Sequence, residues 1–127
     1  MADFRKLEVW QKAHSLVLSV NDVADTIRGA EYTSLRSQIV RAVMSIDANI
    51  VEGRNQPTDR KFAQYVRIAI NSANELEAHL IMARDIGAMK AGDYARLREQ
   101  LIQVRKMLHG LANRLLNLPK SSEPAAD

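Results

Sequence analysis

The 127-residue chain has no cysteine, which excludes thiolate zinc sites, iron–sulfur clusters, disulfides and a cysteine nucleophile. His14, His79, His109 and fifteen carboxylates are then the main candidates for binding a metal or moving a proton. A carboxylate-bridged metal pair inside a helical bundle needs inward glutamates from two helices and a Glu-x-x-His pair from each of the other two. Those pairs are missing: Glu75 and His79 stand four apart, and neither His14 nor His109 has a carboxylate three residues earlier. Nucleophilic catalysis needs a hydroxyl beside an oriented base or on a strained turn. Ser45 and Ser72 instead fall inside helical stretches, where their small size suits close helix approach. The glycines at 29, 53, 87, 92 and 110 form no phosphate-cradling pattern. Neither an enzymatic activity nor a metal or cofactor is expected.

Two other constellations remain. Gln38, Arg41, Ser45, Ala48 and Glu52 make a polar stripe at helical spacing, Asn49 lies in the neighbouring apolar seam, and Glu75 stands midway along a later helix. Gln38, Arg41, Asn49, Glu52 and Glu75 are therefore expected to form a structural polar layer, with Arg41 or Asn49 meeting Glu75 across the core and fixing helix register. The second constellation is basic. Arg54, Arg60, Lys61 and Arg67 oppose Asp59 alone, and Arg98, Arg105 and Lys106 lie in a second cationic stretch. Arginine suits bidentate phosphate contacts, so these seven residues are the expected nucleic-acid contacts. No helix-turn-helix, zinc-finger or base-stacking pattern accompanies them, which restricts any binding to backbone or shape. The competing reading gives the arginine stems a role in shielding the core.

Helices must carry these residues. Four segments repeat apolar residues at three- and four-residue intervals. The first follows Trp10, Ala13, Val17, Val20, Ala24 and Ile27, flanked by Val9, Leu16 and Val23, and stops near Gly29. The second follows Leu35, Ile39, Ala42 and Ile46 after a Thr33 or Ser34 cap, and its other faces are apolar as well, which implies central burial or a subunit interface. The third follows Phe62, Val66, Ala69, Ala73, Leu76, Leu80 and Ala83 after a Thr58 or Asp59 cap. The fourth, capped by Asp93, runs through Tyr94, Leu97, Leu101, Val104, Leu108, Leu111, Leu115 and Leu118 to a stop at Pro119. The pattern predicts helices over about 5–28, 34–53, 59–86 and 93–118 and no strand. Joined by short loops, they form an all-α, antiparallel, up-down-up-down four-helix bundle spanning 1–118. The small polar residues 119–127 read as a disordered tail.

An apolar fraction of 46% and a charged fraction of 26% fit one globular domain. No stretch has the length and hydropathy of a membrane span, and the opening residues lack the apolar region of a secretory signal. A cytoplasmic protein without membrane contact is expected. The net charge of +3 is small but unevenly distributed.

Particular residues carry a resemblance over about 4–118. Helix 2 contains Gln38-Ile39-x-Arg41-Ala42-x-x-Ser45-Ile46-x-x-Asn49-Ile50-x-Glu52-Gly53, helix 3 contains Phe62-x-x-Tyr65-x-x-Ile68-Ala69-x-x-Ser72-x-x-Glu75, and the chain opens with Leu7-x-Val9-Trp10-x-x-Ala13. In these motifs it resembles the bacterial four-helix-bundle proteins first recognised as products of intervening sequences within 23S ribosomal RNA genes. It departs from them at Asn71, where glycine is common, and in lacking a proline between helices 1 and 2. The resemblance implies a ring-like homopentamer. Most such proteins have no established activity, and a related branch serves diversity-generating retroelements by binding a reverse transcriptase and RNA through a basic surface. A non-enzymatic oligomeric scaffold is therefore expected, with RNA, another nucleic acid or a nucleic-acid-handling protein as partner. The alternative is a protein–protein adaptor that binds no nucleic acid.

Overall fold

The computed structural model describes residues 3–117. They form four helices, α1 (Glu8–Ala24), α2 (Thr33–Arg54), α3 (Asp59–Asp85) and α4 (Ala91–Leu115), with no strand among the described residues. The expected tail at 119–127 lies outside them. Each helix packs against two others, α1 and α3 both touching α2 and α4, while neither diagonal pair is in contact. Cross-helix bonds set the directions. Trp10 near the start of α1 reaches Asp47 late in α2, and Arg36 early in α2 donates to the Ile27 carbonyl just past the end of α1. Arg105 late in α4 reaches Asn74 and Glu77 in α3. The result is the antiparallel up-down-up-down bundle expected from short connections. No helix among the described residues is long and apolar enough to cross a membrane.

The helix ends follow local chemistry. Thr58 caps α3, its hydroxyl accepting from the Lys61 amide at 3.2 Å. Gly87, at φ +80°, closes α3: the Ala88 amide donates to the Ala83 carbonyl and the Gly87 amide to that of Arg84, so the last carbonyls are satisfied. Both ends of α1 and of α4 differ from expectation, α4 ending at Leu115 instead of about residue 118. Asp3 caps a short 3-10 turn over Phe4–Lys6, so α1 starts only at Glu8. Arg5 bonds to the Asp3 carboxylate and holds its pKa below the ordinary value. At the other end Thr26 and Ile27 bond back three residues, to Val23 and Ala24, which tightens the chain out of α-helix well before residue 28. Helix α4 begins at Ala91 with Lys90 as cap, while Asp93 pairs with Arg96 at 3.3 Å inside the first turn. Neither Thr33 nor Ser34 caps α2, since no side chain bonds its first amides.

The predicted seam of α3 is buried throughout, that of α4 is buried from Leu97 to Leu111 with Tyr94 and Leu115 half-buried and Leu118 outside the described residues, and Leu76, Leu80, Leu97, Leu101 and Leu108 are fully inaccessible. Each contributes about 1.5–3 kcal/mol relative to exposure. In α1 the flanking stripe Val9, Leu16 and Val23 lies deeper than Trp10 and Val17, which sit half-buried at the core margin. Helices α2 and α3 approach closely at Gly53, where a Cβ would stand 2.7 Å from Phe62 Cδ1 and 3.0 Å from Tyr65 Cβ. Only the missing side chain allows that approach.

Candidate nucleic-acid interface

The polar groups of the interior differ from those the stripe on α2 implied. Gln38, Arg41, Glu52 and Glu75 are all exposed, and only Asn49 of the expected layer lies between helices. The physical reason is the width of the apolar surface on α2. Its buried face centres on Ile39, Val43, Ile46 and Ile50, and this rotation turns Arg41 and Glu52 outward. Three smaller clusters tie the helices instead.

Between α2 and α3 the Ser45 and Ser72 hydroxyls bond at 2.7 Å, and Asn49 Nδ2 donates to the Ser45 carbonyl at 2.8 Å. Between α1 and α2, Asp47 accepts from Trp10 Nε1 at 2.7 Å and from His14 Nδ1 at 2.9 Å. The indole and imidazole stack one turn apart, 4.7 Å between ring centres, and Phe4 meets Trp10 edge-on. This His–Asp pair has the orientation of a catalytic base. Among the described residues no bond to a serine, threonine or tyrosine hydroxyl completes it, and its geometry accounts for helix attachment.

The third cluster draws two of the expected nucleic-acid contacts to the seam between α3 and α4, Arg105 into the interior and Arg98 to its margin. Arg105 is buried, 8% exposed, with Nη1 donating to Glu77 Oε1 at 2.9 Å and Asn74 Oδ1 at 3.0 Å. Arg98 pairs with the other oxygen of Glu77 at 3.4 Å. Both guanidinium groups thus serve the α3–α4 seam. The hydroxyl of Ser72, the carboxylate of Asp47 and that of Glu77 were not singled out as site residues by spacing, because each sits on a flank that becomes interior only once a particular neighbour is placed.

The remaining expected contacts gather at one end. Antiparallel packing brings the start of α1, the end of α2, the start of α3 and the end of α4 together. There stand Arg5, Lys6, Arg54, Arg60, Lys61, Arg67, Lys106 and Arg114, eight basic residues against Asp3, Glu8, Glu52 and Asp59. Over the rest of the described chain nine basic and nine acidic residues balance, so the positive excess belongs to that end. Arg60, Lys61, Arg67 and Lys106 are exposed and Arg54 is half-buried. An open groove of about 440 Å³ runs between α1 and α4 at this end, lined by Leu7, Val9, Met107, Gly110 and Leu111, with Lys106 and Arg114 among its walls. Among the described residues no group of three or more histidines and carboxylates could hold a metal ion.

The family model described as 23S rRNA-intervening sequence protein matches residues 5–110. The chain belongs to that family. The match takes in all of α1, α2 and α3 and most of α4; Phe4 at one end and Leu111 and Arg114 at the other lie outside it. A protein of unknown function from the S23 ribosomal protein family of Bacteroides thetaiotaomicron has a similar crystal structure, at TM-score 0.77 and 21% identity over 82% of this chain and 97% of that one. At that identity the likeness concerns the fold. No curated protein matches the chain.

Proposed function

We propose that the protein is a non-enzymatic, cytoplasmic, homo-oligomeric scaffold, a pentamer as the family resemblance implies, that binds structured RNA through the basic end of each bundle. The observation carrying this reading is the segregation of charge: the whole positive excess of the described chain lies at one end, while Arg98 and Arg105, which could have extended it, share Glu77 at the α3–α4 seam. Exposed arginine and lysine without base-stacking aromatics fit phosphate contacts that read shape rather than sequence.

Such binding releases counterions and must weaken with salt. If four of these side chains each meet a phosphate, affinity falls about a hundredfold between 50 and 200 mM salt, from a slope of about 0.9 per contact. Fluorescence anisotropy with a labelled RNA hairpin measures this directly. Arg60→Ala with Arg67→Ala is expected to weaken binding at least tenfold at low salt and to flatten the salt dependence. Binding that ignores both salt and the double substitution would sink the proposal. The adaptor reading has its own support in Met82 and Ile86, 53% and 52% exposed near the opposite end. Salt-independent capture of a protein with no RNA affinity would favour it.

A further inference from the structure

The groove between α1 and α4 combines an apolar floor with a cationic rim, and phosphate contacts use only the rim. Val9 and Leu111 are buried at its floor, Leu7 and Met107 are half-buried beside them, and Lys106 and Arg114 on α4 are exposed. The way the chain enters α1 accounts for the opening. The Asp3-capped turn over Phe4–Lys6 touches α1 and α2 but not α4, with the Phe4 ring edge-on to Trp10. Helix α4 meanwhile runs on to Leu115, so among the described residues its last turn has no helix opposite it on this side. Gly110 widens the gap, having no side chain between Lys106 and Arg114 on that face of α4.

The rim sets the charge of a ligand. Lys106 and Arg114 stand eight residues apart on one helix, about 12 Å at about 1.5 Å per residue. Among the described lining residues Glu8 is the only acid, and Lys12 follows it one turn later on the same face of α1. A matching ligand needs apolar groups for the floor and two anionic groups about two turns of helix apart. An acidic amphipathic helix has both, because residues at i, i+3, i+4 and i+7 project from one side. A polyanion has no apolar side chain for the floor, and a single-chain amphiphile has one headgroup for two cations. The volume of about 440 Å³, within the roughly 300–1,000 Å³ of ligand pockets, accepts the anchoring side chains of a helix lying across the groove.

We infer that the α1–α4 groove is a docking site for an acidic, leucine-bearing amphipathic helix of a partner protein, its apolar face on Leu7, Met107 and Leu111 and its carboxylates on Lys106 and Arg114. The site is separate from the exposed Arg60 and Arg67, which sit on α3, a helix that does not touch α1. It goes beyond the RNA reading and does not depend on it.

The test is fluorescence anisotropy on the full chain, with a labelled helical peptide about eighteen residues long that carries leucines at i, i+4 and i+7 and glutamates flanking them. Saturable binding is expected. Replacing the peptide's glutamates by glutamine, or its leucines by alanine, is expected to weaken binding at least tenfold without touching the protein. Lys106→Glu with Arg114→Glu is expected to lose the acidic peptide and to gain one with lysine in place of each glutamate, which a misfolded variant could not do. Arg60→Ala with Arg67→Ala is expected to leave peptide affinity within twofold, so failure of the RNA reading and failure of this one are told apart. A wild type that ignores the peptide, as when residues 118–127 or a second copy fill the groove, overturns the inference. Indifference to the leucines, which reduces the binding to charge attraction, does the same, as does a charge reversal without effect. Displacement by decanoate as strong as by unlabelled peptide would assign the groove to a single-chain amphiphile instead.

Discussion

Removing the carboxylate of Glu77 tests whether one acid serves two arginines unequally. Arg105 is buried and keeps only Asn74 among its described Nη1 partners when Glu77 becomes alanine. Breaking a fully buried pair costs about 3–5 kcal/mol, and the retained amide bond together with the partial exposure of Glu77 reduces this. Arg98, with a side chain 36% exposed, adds about 0–1 kcal/mol. The expected cost of Glu77→Ala is therefore about 2–3 kcal/mol. Glu77→Gln keeps an acceptor and should cost about half as much. Urea unfolding at fixed protein concentration gives these values, the fixed concentration being needed because assembly adds to apparent stability. A double-mutant cycle then separates the partners: coupling to Arg105 is expected above about 1.5 kcal/mol and coupling to Arg98 below about 0.5 kcal/mol. Equal couplings, or a loss under about 0.5 kcal/mol for Glu77→Ala, would refute the division between a buried and a solvated pair.

Gly53→Ala should destabilise by about 1–2 kcal/mol in the same assay, because overpacking against Phe62 and Tyr65 outweighs the roughly 1 kcal/mol helix-propensity gain; a more stable variant would show that α2 and α3 can separate freely. Asp47→Ala strands the Trp10 and His14 donors at the α1–α2 seam and should cost about 1–2 kcal/mol. Emission from Trp10, the chain's one tryptophan, should shift with it, and an unchanged spectrum with unchanged stability would show that water replaces the carboxylate. Glu75→Ala is expected to change the stability of the single chain by less than about 0.5 kcal/mol, since Glu75 is exposed and forms no ion pair among the described residues; a loss of several kcal/mol would restore a buried layer containing it.

The architecture was legible because α3 and α4 each carry one apolar row that runs nearly end to end, and that row turns inward even though Ile68, Ile81 and Met82 on α3 face solvent. The stripes on α1 and α2 are broad. On α1, Val9, Leu16 and Val23 compete with Trp10 and Val17, and spacing cannot rank two adjacent apolar rows; the neighbouring helices do. On α2 the same ambiguity placed Arg41 and Glu52 inside when Ile39, Val43, Ile46 and Ile50 take that position. Five of the eight residues at the basic end, Arg54, Arg60, Lys61, Arg67 and Lys106, were legible for a simpler reason. Arg60, Lys61 and Arg67 sit in the exposed first turns of α3, whereas the fate of Arg105 depended on Glu77, a residue of another helix with no local mark. Lys6 and Arg114 join the basic end only through the antiparallel closure of α1 on α4.

Charge confined to one end makes the bundle an electric dipole along its length. In the field of a polyanion it experiences a torque as well as a pull, so the collisions that count arrive with the α2–α3 loop and the α4 terminus leading. Orientation is then selected during approach, before any contact forms. Salt would slow productive encounters by shortening the reach of that torque to about 10 Å at 0.1 M ionic strength, even for a variant whose bound contacts were left intact.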